Sequence, residues 1–120
     1  MVTEISSYLQ QRLQVCLEAG ISADRIILDP GFGFGKSLRH NLELLRNLEG
    51  FAGLGYPLLV GVSRKSMIGQ LLDDRSVGQR LSGSLAAAVV AAMKGASILR
   101  VHDVRETVDA MRVVTAMNRQ

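Results

Sequence analysis

The sequence predicts an α/β fold in which three parallel strands alternate with four helices. Three observations carry this prediction. Short apolar runs recur at 25–29, 58–62 and 96–101. Between and around them, leucines, valines and methionines repeat at three- and four-residue spacing, the period of a helix with one buried face. Each run also ends in glycine, proline or polar residues, where a chain leaves a strand for a helix. Parallel strands need a long return connection, and a right-handed helical crossover supplies it.

The elements follow in order. Ile5, Leu9, Leu13, Cys16 and Leu17 share one face of a helix over 4–18, with Gly20 as its stop. The run 25–29, ended by Pro30-Gly31, reads as a strand buried on both faces. Ser37 caps a second helix whose Leu38, Leu42, Leu45 and Leu48 stay in register up to Gly50. The run 58–62 repeats the buried-strand pattern after Tyr56-Pro57, and Ser63-Arg64-Lys65-Ser66 opens the turn that leaves it, with Ser66 where a helix would begin. After a polar break at 73–76, Leu81, Leu85, Val89 and Met93 define the third helix up to Gly95. The third strand, 96–101, leads to Asp103, which with Glu106 makes a capping-box-like start for a fourth helix carrying Val104, Val108, Met111 and Val114.

Composition narrows the function classes. With 120 residues, 48% of them hydrophobic and 21% charged, the chain suits one globular core rather than a disordered tail. The longest weakly polar stretch, 85–93, is half of the roughly 18 residues needed to span a membrane, and the N-terminus has no signal-peptide pattern, so a cytoplasmic location without membrane contact is expected. Cys16 stands alone, which argues against a disulfide framework or a zinc cluster and for a buried helix residue. A net charge of +3 and a pI near 9.5 favour an anionic ligand. The basic residues are scattered and aromatics make up only 4%, so nucleic acid is not an expected partner.

Three strands cannot close a β/α barrel, which takes about 250 residues, so the pattern is either a small open α/β domain or a piece of something larger. Either way, open sheet edges and uncovered apolar faces invite association, and a homodimer or larger self-assembly is expected.

Ligands of parallel α/β folds bind beyond the carboxyl ends of the strands. Three polar clusters fall there: Asp29 to Ser37, Ser63 to Ser66, and Arg100 to Asp103. Gly35-Lys36-Ser37 imitates the end of a phosphate-binding loop, but Pro30 occupies the first glycine position. The alternating glycines instead suit unusual backbone dihedrals or close approach to a ligand, with Phe32 and Phe34 walling a flat ring. Asp29 is either a turn former or a carboxylate able to bind an amidine-like N–H pair. Arg64 and Lys65 are either a solvated basic turn or ligand groups. Ser66 and the helix start behind it suit a carboxylate or phosphate. Arg100 and His102 differ by two in an extended segment and so share a face, where a guanidinium and an imidazole suit pyrophosphate oxygens.

The clusters LDPGFGFGK at 28–36, GVSRKSMIGQLL at 61–72 and RVHDV at 100–104 resemble the sixth-, seventh- and eighth-strand loops of the dihydropteroate synthase family. RLSGSLAAAVVAAMKGA at 80–96 resembles the intervening family helix. The resemblance covers the whole chain. It implies that residues 1–120 are the C-terminal half of a pterin-binding domain, the C-terminal part of a TIM (β/α)8 barrel, from an enzyme that condenses 6-hydroxymethyl-7,8-dihydropterin pyrophosphate with p-aminobenzoate and is a sulfonamide target. It further implies that Asp29 binds the guanidine-like edge of the pterin, that Lys65 contacts the pterin carbonyl side, and that Phe34 and the Lys65 stem flank the benzoate ring. Ser66 would receive the substrate carboxylate, and Arg100 and His102 the pyrophosphate, with Ser63 and Arg64 nearby. Lys65, Arg100 and His102 are the implied catalytic groups. Mg2+ would enter through the pyrophosphate, its protein ligand lying in the absent N-terminal half, so no metal ligand is assigned here. With five strands absent, the chain alone is expected to be inactive. The alternatives are a noncatalytic self-associating barrel fragment and a pterin-binding methyltransferase domain.

Overall fold

The computed structural model describes residues 2–33 and 36–118. Among these, the chain forms six α-helices and a narrow parallel sheet: α1 (Val2–Glu18), α2 (Leu38–Arg46), α3 (Leu48–Ala52), β1 (Leu59–Val60), α4 (Ser66–Leu71), α5 (Leu81–Met93), β2 (Ile98–Leu99) and α6 (Val104–Asn118). Two single-turn 3-10 segments, Ala23–Arg25 and Val77–Gln79, complete the connections. No helix among the described residues is long and apolar enough to cross a membrane.

Of the three expected strands, two form among the described residues, each shorter than its apolar run, and the first run is reduced to an isolated bridge beside them. Leu59 pairs with Ile98 and Val60 with Leu99 in parallel, and the first run contributes a parallel bridge between Leu28 and Leu58. The Leu28 N–H donates to Pro57 O at 2.9 Å and its carbonyl accepts from Leu59 N–H at 2.8 Å. On the far side, Arg100 N–H donates to Val60 O at 2.9 Å. A parallel ladder lengthens when each strand is paired on both sides, and here only β1 has two neighbours among the described residues.

The sheet separates two faces. Leu28, Leu58, Val60 and Val62 are buried at 5%, 0%, 1% and 3% exposure, beneath the helices. Residues one position away in each run face the other side: Ile27 is 52% exposed and Ile98 37%. Burial on both faces, expected for the first run, is therefore corrected. Its apolar neighbours alternate between a helix-covered side and an open side, as the period of two requires.

The helix count also differs from the expected four. The predicted second helix breaks at Asn47 into α2 and α3. Asn47 has φ −104° and ψ 18°, and its side-chain amide donates to Glu43 O at 2.7 Å, the kind of local bond that competes with helix propagation. A further helix, α4, starts at Ser66 as its position suggested and carries the buried Met67 and Ile68. Leu44, Leu48 and Phe51, each at most 1% exposed, join those residues and the inner sheet face in one core, with Ala87 and Ala91 of α5 closing it. Cys16 is half-buried rather than buried.

Candidate functional site

The open side of the sheet ends in a cleft of about 420 Å3 lined by Asp29, Leu59, Gly61, Ser63, Arg64, Lys65, Val77, Arg100 and His102. The three polar clusters read from the sequence thus meet at one place. Parallel strands in register are the cause, because their carboxyl ends lie side by side.

Asp29 is a turn former that also lines the cleft. Its Oδ1 accepts the Gly31 N–H at 2.9 Å, closing an Asx turn, and its carboxylate lines the cleft. The turn needs glycine, since Gly31 and Gly33 have φ of +74° and +88°. Gly33 N–H donates to the buried Asn41 Oδ1 at 2.9 Å, and Lys36 Nζ donates to Gly31 O at 2.6 Å, so α2 and its lead-in hold the loop from behind. Phe32 is corrected as a ring-walling residue: at 1% exposure it belongs to the core, and its contribution to the site is its carbonyl. Phe34 lies outside the described residues.

Lys65 Nζ donates to that Phe32 carbonyl at 2.7 Å, tying the second cluster to the first. Burial pushes the Lys65 ammonium below the ordinary lysine range, Asp29 pulls it back up, and Arg100 and Lys36 push it further down. Ser66, the first residue of α4, is exposed and does not line the cleft.

Arg100 and His102 share the cleft, as their spacing of two required. The Arg100 stem lies across Gly61, where a Cβ would sit 3.5 Å from Arg100 Cβ and 3.7 Å from Cδ, ordinary contact distances. His102 Nδ1 lies 3.0 Å from the hydroxyl of Ser63, which is 8% exposed, so a buried serine on the neighbouring strand end fixes the imidazole ring.

Arg64 faces the same cleft but is committed to a partner. Its Nη2 and Nε donate to Asp103 Oδ1 and Oδ2 at 2.6 and 3.3 Å, a two-point guanidinium–carboxylate pair. The pair raises Arg64 above its ordinary pKa and holds the Asp103 carboxyl below the usual carboxylate range. Arg64 also sits at φ +58°, a left-handed conformation that costs a non-glycine residue roughly 1–2 kcal/mol. Around it stand groups that the sequence did not mark: Ser84 Oγ accepts the Arg64 N–H at 2.9 Å, and Arg80 Nη1 donates to Arg64 O at 2.8 Å. Asp103, expected as a helix cap, directs both carboxylate oxygens to Arg64 instead. Val77, a wall of the cleft, also went unread, since nothing in a lone valine after a polar break points to a site.

A carboxylate, an ammonium and a guanidinium–imidazole pair stand at adjacent strand ends of an α/β protein, groups whose chemistry suits N–H donors on one side and an anion on the other. The chain belongs to the pterin binding enzyme family, whose family model matches residues 1–102. It is 59% identical over 113 residues to the dihydropteroate synthase of Escherichia coli (strain K12), covering 94% of this chain and 40% of that protein. It is 53% identical to the dihydropteroate synthase of Haemophilus influenzae, covering 94% of this chain and 41% of the relative. Among solved structures, dihydropteroate synthase from Xanthomonas albilineans in complex with 7,8-dihydropteroate superposes with a TM-score of 0.96 at 45% identity, over 99% of this chain and 45% of that one. The same enzyme with 4-aminobenzoic acid gives 0.95 at 46% identity, over 98% and 45%. The chain therefore spans about two-fifths of the length of the curated relatives that it matches.

Proposed function

We propose that this chain supplies the C-terminal half of a dihydropteroate synthase, residues 1–120 forming the closing β/α units of a TIM (β/α)8 barrel. The reaction is substitution at the pterin methylene carbon. The bond from that carbon to the diphosphate oxygen breaks with its electron pair leaving on oxygen, and the amine nitrogen of p-aminobenzoate forms the new bond and loses a proton. The observation that carries the reading is the meeting of Asp29, Lys65, Arg100 and His102, from three strand ends, in one cleft. The family match supports it, as do the dihydropteroate and 4-aminobenzoic acid bound by the Xanthomonas albilineans structures.

In this reading Asp29, oriented by the Gly31 N–H, accepts two hydrogen bonds from the guanidine-like edge of the pterin. Lys65 contacts the pterin carbonyl side, and its stem, with Phe34, flanks the benzoate ring; Ser66 at the start of α4 meets the benzoate carboxylate. Arg100 and His102 hold the diphosphate and stabilise the charge that grows on the departing oxygen, the main electrostatic task of the reaction. Ser63 orients His102. Arg64, paired with Asp103, shapes the loop. Among the described residues no three His, Cys, Asp or Glu side chains gather as a metal site. Mg2+ is proposed to accompany the diphosphate, keeping several of its waters.

The remaining strands are needed to close the mouth and exclude water, so the 120-residue chain alone is expected to be inactive. A cytoplasmic homodimer is the proposed working form, and an arylsulfonamide shaped like p-aminobenzoate is expected to compete for its end of the cleft. The test is turnover. The longest protein encoded by the reading frame is incubated with the pterin pyrophosphate, p-aminobenzoate and Mg2+, and dihydropteroate is measured by mass spectrometry. Formation of the product supports the assignment, and its absence from a folded, full-length protein removes it.

A further inference from the structure

We propose that Arg80 and Ser84, with Asp103, are positioning residues that lock Arg64 in its left-handed conformation and thereby fix where Lys65 enters the cleft. The inference rests on the reading of Lys65 as a substrate-contacting group, and it adds residues that touch no substrate.

Three independent contacts converge on one strained residue. The backbone N–H of Arg64 is held by Ser84 Oγ at 2.9 Å, and Ser84 is only 6% exposed. The carbonyl of Arg64 accepts from Arg80 Nη1 at 2.8 Å. The guanidinium of Arg64 is held by Asp103 through two oxygens. Both backbone polar groups and the side chain of Arg64 are thus fixed from outside its own loop, by α5, by the segment leading into it and by the turn after β2. A φ of +58° persists in a non-glycine residue when its surroundings over-determine it, and such positions gather at sites where geometry matters. Lys65, the next residue, inherits its direction from that turn, and it sits as the N-cap of α4 with φ −67° and ψ 161°.

Arg80 is held as firmly as the residue it holds. Its Nε donates to Arg75 O at 2.8 Å, and its guanidinium lies flat against α4 where Gly69 leaves room. A Cβ at Gly69 would stand 2.5 Å from Arg80 Cζ, so the missing side chain is what admits the guanidinium. Arg80, Gly69 and Ser84 therefore act together on the two peptide units that flank the Arg64 Cα, and none of the three lines the cleft.

The experiment reads the surroundings of Lys65 without substrate, so the lock and the assigned reaction can fail separately. The full chain is treated with a dilute N-hydroxysuccinimidyl acetate across a pH series, and acetylation at Lys65 is measured by mass spectrometry against Nα-acetyl-lysine amide in the same tube. Asp29, Arg100 and Lys36, the charged groups that act on Lys65, are left intact. In Ser84→Ala, and in Gly69→Ala, which evicts Arg80 while favouring the helix, the midpoint for Lys65 should rise by at least ~0.5 pH unit toward that of the free amine. Midpoints unchanged from the parent in both folded variants would overturn the proposal. Amide hydrogen exchange of the parent protein needs no variant: the Arg64 N–H should exchange at least ~10-fold more slowly than an unstructured amide. Exchange at the unstructured rate overturns the lock.

Discussion

At the scale of single residues, Lys65 is where chemistry and electrostatics meet. On the proposed assignment, Lys65→Ala in the full-length protein would remove a charge-assisted contact, and kcat/KM for dihydropteroate formation should fall at least ~10-fold, about 1.4 kcal/mol. An unchanged value would take Lys65 out of the site. Its titration gives a second outcome, and the sign follows from linkage. The folded pKa is lowered from the ordinary 10.5, so in the interval between the two values the unfolded chain binds more protons than the folded one. Stability therefore rises with pH through that interval, as the cost of burying the ammonium is relieved. Urea midpoints of the parent protein and Lys65→Gln, compared across the series, should diverge in favour of the parent as pH rises toward 10.5. Asp103 has the opposite arrangement. Its carboxyl is lowered by Arg64, so the pair's contribution is present above the ordinary 3.8 and lost as pH falls through the folded value. Asp103→Asn should flatten that acid limb of the stability curve.

At the scale of elements, two glycines set how closely helices approach. A Cβ at Gly83 of α5 would meet Ile68 Cγ2 at 2.7 Å and Leu72 Cδ1 at 3.0 Å on the α4 side. Ile68 is 2% exposed and has little room to retreat. Overpacking of this kind costs about 1–3 kcal/mol, against the roughly 0.5–1 kcal/mol gained when alanine replaces glycine within a helix. Gly83→Ala should therefore lower Tm, and a rise would show that the α4–α5 contact yields. Gly95 ends α5 at φ +107°, and a Cβ there would fall 2.7 Å from Ala52 Cβ of α3. Gly95→Ala meets a strained backbone and a steric contact together, so a loss of about 1–3 kcal/mol is expected from denaturant unfolding.

At the scale of the whole molecule, the chain is a slab of 44 × 37 × 21 Å. Its accessible surface is 7528 Å2, whereas a compact monomer of this mass exposes about 6,300 Å2. The surplus of about 1,200 Å2 is comparable to what one protein contributes to a large interface. Much of it is apolar. On α5 and α6, Met93, Val104, Val113 and Met117 are each more than half exposed, at 58%, 59%, 71% and 51%. On the first run, Ile27 is 52% exposed on the open face of the sheet. Such a surface favours association, and sedimentation equilibrium of the 120-residue chain should show a dimer or larger closed assembly. A well-folded species near 13.0 kDa across all concentrations would overturn this.

The sequence alone determined the alternation of apolar runs and helices, though not the break at Asn47 or the short α4, because periods of two and three to four residues and the turn residues between them are local properties. It also determined that three polar clusters share an address, since parallel strands bring their carboxyl ends together whatever their lengths. Tertiary structure decided the rest. The sequence could not show that Phe32 turns into the core while its carbonyl meets Lys65, because an aromatic in a glycine-rich loop is compatible with either side. Nor could it show which face of the strand at Ile27 is covered, since cover comes from distant helices and from neighbouring strands. The hold on Arg64 by Ser84 and Asp103 spans 20 and 39 residues of chain. Contacts at that separation have no local signature: a serine inside an alanine-rich helix and an aspartate before another helix each read as ordinary until the fold brings them to one residue.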